Sequence, residues 1–307
     1  MRFLVLILLF PALSFSQGLY TFSNGEVADA EKINENFDNL NQRLTPLEAS
    51  SLRDYLGVLN FNVDCEGDPK ALDAEIKKSA HLDPVGFLIT GDCQFDAGME
   101  LLGRQVIITG EFGAEVKPKL LLMGGFFQAK NSGIDFSDLD IDGVSLFNLS
   151  QNTAVTLSRV NFVNTSFQTR ILVRPSSNLR VIDSLQTDAR PPITVTAGDL
   201  WIRSVSATTK LGDVMAAVGS RIWCRICNVD MPNLVLDTNT SLCASNSYDL
   251  SAFTPQHIGV ENLTLLAHSI FVHHGAPSST PPYNTSIENG SLAQWNVAES
   301  TQRCFSR

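Results

Sequence analysis

Residues 134–160, IDFSDLDIDGVSLFNLSQNTAVTLSRV, decide how this chain is read. Ile134 and Phe136 flank Asp135, and 21 residues further on Val155 and Leu157 flank Thr156. An apolar, polar, apolar triplet is what a strand with one buried face requires, because successive side chains point to opposite sides of the sheet. The pattern returns at Leu179-Arg180-Val181 and Leu200-Trp201-Ile202, and a third apolar position follows at Leu139, Val160, Leu185 and Val205.

Working outward, two families of short β-rich tetrads share one period. The first starts at Phe87, Val106, Phe126, Val144, Ile171, Ile193, Val214 and Leu234, in steps of 19, 20, 18, 27, 22, 21 and 20 residues. The second starts at Ile134, Val155, Leu179, Leu200, Ile222 and Leu242, in steps of 21, 24, 21, 22 and 20. Two interleaved registers with a common period predict a solenoid. With about three inward positions per coil, the expected form is an all-β parallel β-helix of triangular section, its coils about 4.8 Å apart. A β-sandwich would have no reason to keep two strand families in one period. A leucine-rich repeat shares the period, but its Asn position is not kept and no helical pattern closes each unit.

Composition narrows the class. The 307 residues are 44% hydrophobic and 18% charged, enough to bury a core and too apolar for disorder. A net charge of −10 removes the phosphate attraction on which nucleic-acid binding depends, so no nucleic-acid partner is expected. Residues 1–16 read as a signal peptide: Arg2, the apolar run Phe3 to Leu13, then Ser14-Phe15-Ser16 as small residues before a cut. No run is long enough to span a bilayer. The protein is therefore expected outside the cytoplasm, secreted, periplasmic or on the cell surface.

Six cysteines in such a compartment predict disulfides. Cys224-x-x-Cys227 lies in an alternating β pattern and lacks a second close pair, which favours a structural cystine over zinc or redox chemistry. Cys243 and Cys304 are paired here as a guess at how the tail is pinned. Within residues 17–59, Ala30, Ile33, Phe37, Leu40, Leu44 and Leu47 form a heptad stripe along a short helix. Such a stripe must be covered, either by a homo-oligomer, a trimer for example, or by folding back on the next domain. Residues 60–274 are expected to form the β-helix, and residues 275–307, rich in Pro, Ser and Asn up to Ser291, an extended tail.

The segment Thr21-Phe-Ser-Asn-Gly-Glu-Val-Ala-Asp-Ala-Glu-Lys-Ile-Asn-Glu-Asn-Phe37 resembles one found near the start of exported bacterial surface and fibre proteins. Val63-Asp-Cys65, Leu72 to Ile76, Ile89-Thr-Gly-Asp-Cys93 and Val106-Ile-Ile-Thr-Gly110 resemble the opening of a pectin-lyase-like right-handed β-helix. That resemblance implies a Cys65 to Cys93 disulfide and a helix over Ala71 to Ser79 shielding the first coil. It identifies a fold and not an activity.

Chemistry is sparse. If the strand runs unbroken, Asp138, Asp140 and Asp142 project from one face and form a candidate Ca²⁺ site; a solvated outer face is the favoured reading, because an outward position is where a strand must put its polar residues. Arg159, Arg174, Arg180 and Arg203 are candidate sugar clamps or bases. The hydrolase elements of the resembling family, an Asp-Asp pair above all, are absent, so no catalytic residue is carried over. His257, His268, His273 and His274 cluster in sequence but lack metal-ligand spacing. The expected role is a non-enzymatic binding or structural element for a glycan or cell-surface ligand, and the alternative is a polysaccharide lyase.

Overall fold

The alternating triplets become stacked coils. The computed structural model describes residues 59–82, 84–165, 169–205, 207–225, 227–245, 257–273, 284–288 and 290–294. The expected signal peptide and heptad stripe lie outside the described residues. Every strand pairing among those residues is parallel, and the strands fall into three sheets forming a β-solenoid.

The first sheet has eleven strands: Leu59–Asp64, Val85–Thr90, Gln105–Thr109, Gly133–Ser137, Ala154–Ser158, Asn178–Ile182, Asp199–Arg203, Arg221–Arg225, Ser241–Ser245, Ile270–His273 and Leu292–Gln294. The second runs from Met99–Leu102 through Phe126–Lys130, Leu146–Ser150, Arg170–Val173, Ile193–Thr196, Val214–Ala217, Asn228–Leu236 and His257–Leu265 to Asn284–Ile287. The third holds four: Cys93–Phe95, Lys119–Leu122, Asp140–Asp142 and Asn161–Val163.

Register lines the apolar residues up coil on coil. Val106, Ile134, Val155, Leu179, Leu200, Ile222, Leu242 and Phe271 follow one another across the first sheet, each 2% exposed or less. Inside the early coils Phe127 stacks on Phe147 at 4.3 Å between ring centroids, and Phe147 tilts against Phe162 at 5.4 Å. Such pairs add to the burial of large side chains.

Corners close each coil, and they share a chemistry. A residue with positive φ precedes a small polar one just before a strand of the first sheet: Asn131 before Ser132, Asn152 before Thr153, Gly219 before Ser220 and Asn239 before Thr240. The hydroxyls are buried and turn back onto carbonyls. Ser132 Oγ donates to Lys130 O at 2.9 Å and to Leu101 O at 3.1 Å, and Ser220 Oγ donates to Ala217 O and Val195 O at 2.5 and 3.2 Å. Thus one side chain reaches acceptors of its own coil and of the preceding one, adding to the backbone bonds that Lys130 O and Ala217 O accept from Gly103 N and Ala197 N.

The first coil is capped by helix α1, Ala71–Lys78, which buries Leu72 and Ile76. Arg104, in the turn just before Gln105–Thr109, donates to Ile76 O, Ser79 O and Leu82 O, satisfying carbonyls at the helix end. The Cys65–Cys93 disulfide ties the turn ahead of the helix to the third sheet. Cys224 is bonded to Cys227, both buried. Cys243 is also disulfide-bonded, and Cys304, its expected partner, lies outside the described residues.

Five expectations are corrected. The tetrads at Phe87 and Val106 belong to the first sheet, with the second family, while Met99–Leu102 opens the second sheet. Alternation looks the same on every side of a coil and cannot say which side a strand occupies. The strand expected from Val144 begins at Leu146, with Val144 buried in the turn before it. Val205 does not fill the third inward place: it is 49% exposed, and its neighbour Ser204 is buried. The triangular section is complete only in the early coils. Later on, Asn228–Leu236 and His257–Leu265 run round the corner as single long strands, the first pairing with Thr209–Lys210. The expected boundary at 274 also falls inside the solenoid, since Asn284–Ile287 and Leu292–Gln294 add a further rung to two sheets.

Phe147→Ala removes the middle ring of the internal stack and is expected to cost about 3–5 kcal/mol in urea unfolding. Ser220→Ala removes the buried hydroxyl that bonds two carbonyls and should cost about 1 kcal/mol. Thr156→Ala, on the outward face, should change stability by less than about 0.5 kcal/mol.

Candidate functional site

The outward residues of the first sheet build a patch that no single segment contains. Parallel register places Arg180 beside Trp201, and Trp201 beside Trp223, in one row across three coils. Their ring centroids lie 5.3 Å apart at an interplanar angle of 22°, so the two indoles stack. Trp201 is 39% exposed, which leaves part of its surface open to a ligand. Arg203 projects from the same strand two residues along, on the same face. Both Arg180 and Arg203 are exposed, and neither forms an ion pair among the described residues.

The other edge of the patch is held in place. Arg221 donates two parallel hydrogen bonds to Asp199, Nε to Oδ1 and the terminal nitrogen to Oδ2, both at 2.8 Å. Those bonds raise the Arg221 guanidinium above its ordinary value, so it stays charged at any working pH. On a chain of net charge −10, three arginines against one carboxylate make this a locally cationic surface. Aromatic surface with planar donors beside it can take the face of a flat, hydroxylated or anionic group.

The other expected site residues are scattered. Asp138 is not on a strand: it occupies a left-handed turn, φ 54°, and the strand starts only at Asp140. Asp138 is 6% exposed and both of its carboxylate oxygens accept from Arg159, at 2.6 and 2.7 Å. Asp140 accepts weakly from Asn161 at 3.5 Å, and Asp142 accepts from Asn164 at 2.8 Å. A Ca²⁺ shared by the three would have to displace that bidentate pair, and the donor set does not fit it. Among the described residues no group of three or more His, Cys, Asp or Glu is placed to hold a metal ion.

Of the four candidate arginines, Arg159 is thus spent on Asp138, and Arg174 lies beyond the second sheet, donating to Asn148 at 3.5 Å. Arg180 and Arg203 are the two that converge. The side chains of His257, His273 and His274 lie outside the described residues; His268 is exposed in a turn. Sequence reasoning missed Trp201 and Trp223. The signal existed, because the two tryptophans are one coil period apart and outward in their triplets.

Comparison with protein-family models, with curated proteins and with solved structures finds no match to this chain.

Asp138→Asn should lower stability by about 1–3 kcal/mol in urea, the cost of a partly buried pair losing its charge. Adding millimolar Ca²⁺ or EDTA to the native protein is expected to leave its melting temperature unchanged.

Proposed function

We propose that the chain is an exported binding protein that takes glycans on the lateral face of its β-solenoid. The observation that carries this reading is the Trp201–Trp223 stack, flanked by Arg180 and Arg203 on one flat sheet. The carbon-bound hydrogens of a pyranose ring lie well against an indole, while guanidinium groups donate to the sugar's oxygens. Coils repeat every 4.8 Å or so, close to the length of one sugar unit, so neighbouring rungs can meet neighbouring units. Binding needs no catalytic group, and the role is that of a non-enzymatic surface or secreted element.

Export rests on the signal-like first 16 residues and is supported by the disulfides, which persist in oxidising compartments. No described helix is long and apolar enough to cross a membrane. The bacterial surface origin, the likeness to pectin-lyase-like proteins and self-association through the heptads belong to the same reading. A polysaccharide lyase would need free outward carboxylates beside a basic residue. The one close carboxylate and arginine set among the expected residues, Asp138 with Arg159, is consumed in a mutual pair.

Calorimetric titration with soluble plant and algal polysaccharides tests the proposal. Trp201→Ala should weaken binding by about tenfold or more while moving the melting temperature by only a few degrees. Binding unchanged in Trp201→Ala, or release of unsaturated sugar products by the wild type, would overturn it.

A further inference from the structure

The outer side of the first sheet changes character at its last rungs. Parallel register carries one outward row from Asp135 through Thr156, Arg180, Trp201 and Trp223 to Cys243 and then Val272. As far as Trp223 each of these side chains is exposed or half-buried. Cys243 is 6% exposed and Val272 2%, although their neighbours Leu242, Ala244 and Phe271 are the ones that fill the interior. A strand with one wet face buries alternate residues, whereas these two rungs are buried on both sides. On the next rung Gln294, in register with Val272, has its Oε1 shut off from solvent and without a hydrogen-bond partner among the described residues. This end of the face is therefore covered.

The cysteines identify the cover. Cys65 is bonded to Cys93 and Cys224 to Cys227. Cys243 is bonded too, and of the six cysteines that leaves Cys304 as its partner within the chain. Cys243 lies between inward Leu242 and Ala244, so its bond is made on the outer side. Gln294 lies two rungs past Cys243, or about 10 Å away. The ten residues that lead from it to position 304 could stretch about 33 Å, so a slack stretch of chain returns across the Val272 rung. Trp295, Val297 and Phe305 supply apolar side chains for that contact.

We infer that residues 295–307 form a strap, tied by a Cys243–Cys304 disulfide, over the outer face of the last rungs of the first sheet. The strap covers Cys243, Val272 and Gln294 and ends the open row at Trp223. A sugar chain lying on the two indoles then runs from Trp223 toward Arg180 and stops at Cys243. That consequence rests on the glycan reading; the strap itself does not.

Peptide mapping of the non-reduced full chain, followed by thiol labelling with no sugar present, tests the strap apart from the glycan reading. Mapping should recover Cys243 joined to Cys304 of the same chain. Cys243 joined to a second copy, seen as a dimer on a non-reducing gel, overturns the inference. Cys304→Ser then leaves Cys243 as a thiol reporter beneath the strap. Maleimide should label it about tenfold or more slowly in the full chain than in a chain ended after Gln294, where its rate should approach that of Thr156→Cys on the open part of the row. Equal rates in the full and shortened chains mean that another segment, such as residues 246–256, is the cover, and overturn the inference. Should the shortened chain fail to fold, Trp295→Ser with Val297→Ser and Phe305→Ser in the full Cys304→Ser chain makes the same comparison: faster labelling supports the strap and an unchanged rate overturns it.

Discussion

A coil of this chain cannot satisfy itself. Its backbone donors and acceptors point along the axis toward the coils on either side, and its inward Val, Ile, Leu and Phe are dry only when another coil lies against them. In-register parallel stacking answers both needs at once, as Val155 shows: it pairs with Ile134 on one side and Leu179 on the other, and all three are buried. Register is strict because a slip of one residue would turn Thr156 and Asp135 inward. Every later feature, the corners, the cap and the outward patch, inherits its position from that register.

Corners show how stacking constrains the sites it seems to leave free. Strands must turn sharply at each side of the coil, which calls for left-handed backbone at Asn131, Asn152 and Asn239, residues whose short polar side chains tolerate it. The hydroxyls of Ser132, Thr153 and Ser220 then occupy interior positions, where each must find an acceptor. The same economy operates at Asp138 and Arg159. Both lie in left-handed turns one coil apart, and their charges meet because the register brings the turns together.

A regular rod presents the same kind of surface all along its length, so departures from regularity indicate where recognition is built. Two departures stand out: a cationic, aromatic row on an otherwise acidic chain, and the buried outer side of the rungs beyond it. Each groups residues far apart in sequence, the first spanning Arg180 to Trp223 and the second Cys243 to Gln294. Both rest on the rigid face or end of the solenoid, which holds their geometry without a ligand.

The sequence by itself determined the fold class, because alternation and coil period are local properties: the triplets around Ile134, Val155, Leu179 and Leu200 record which side of each strand is buried. It was enough to predict the solenoid, a structural cystine role for Cys224 and Cys227 in place of zinc or redox chemistry, and the outward place of Arg180 within its triplet. It could not say which sheet the strands at Phe87 and Val106 join, that Asp138 turns to Arg159 and away from Asp140, or that Leu292–Gln294 continues the first sheet. Those outcomes, like the meeting of Trp201 with Trp223, were decided only by the tertiary structure. The physical reason is that contact between coils depends on register and on the angle of each corner, neither of which is written in any one stretch of chain.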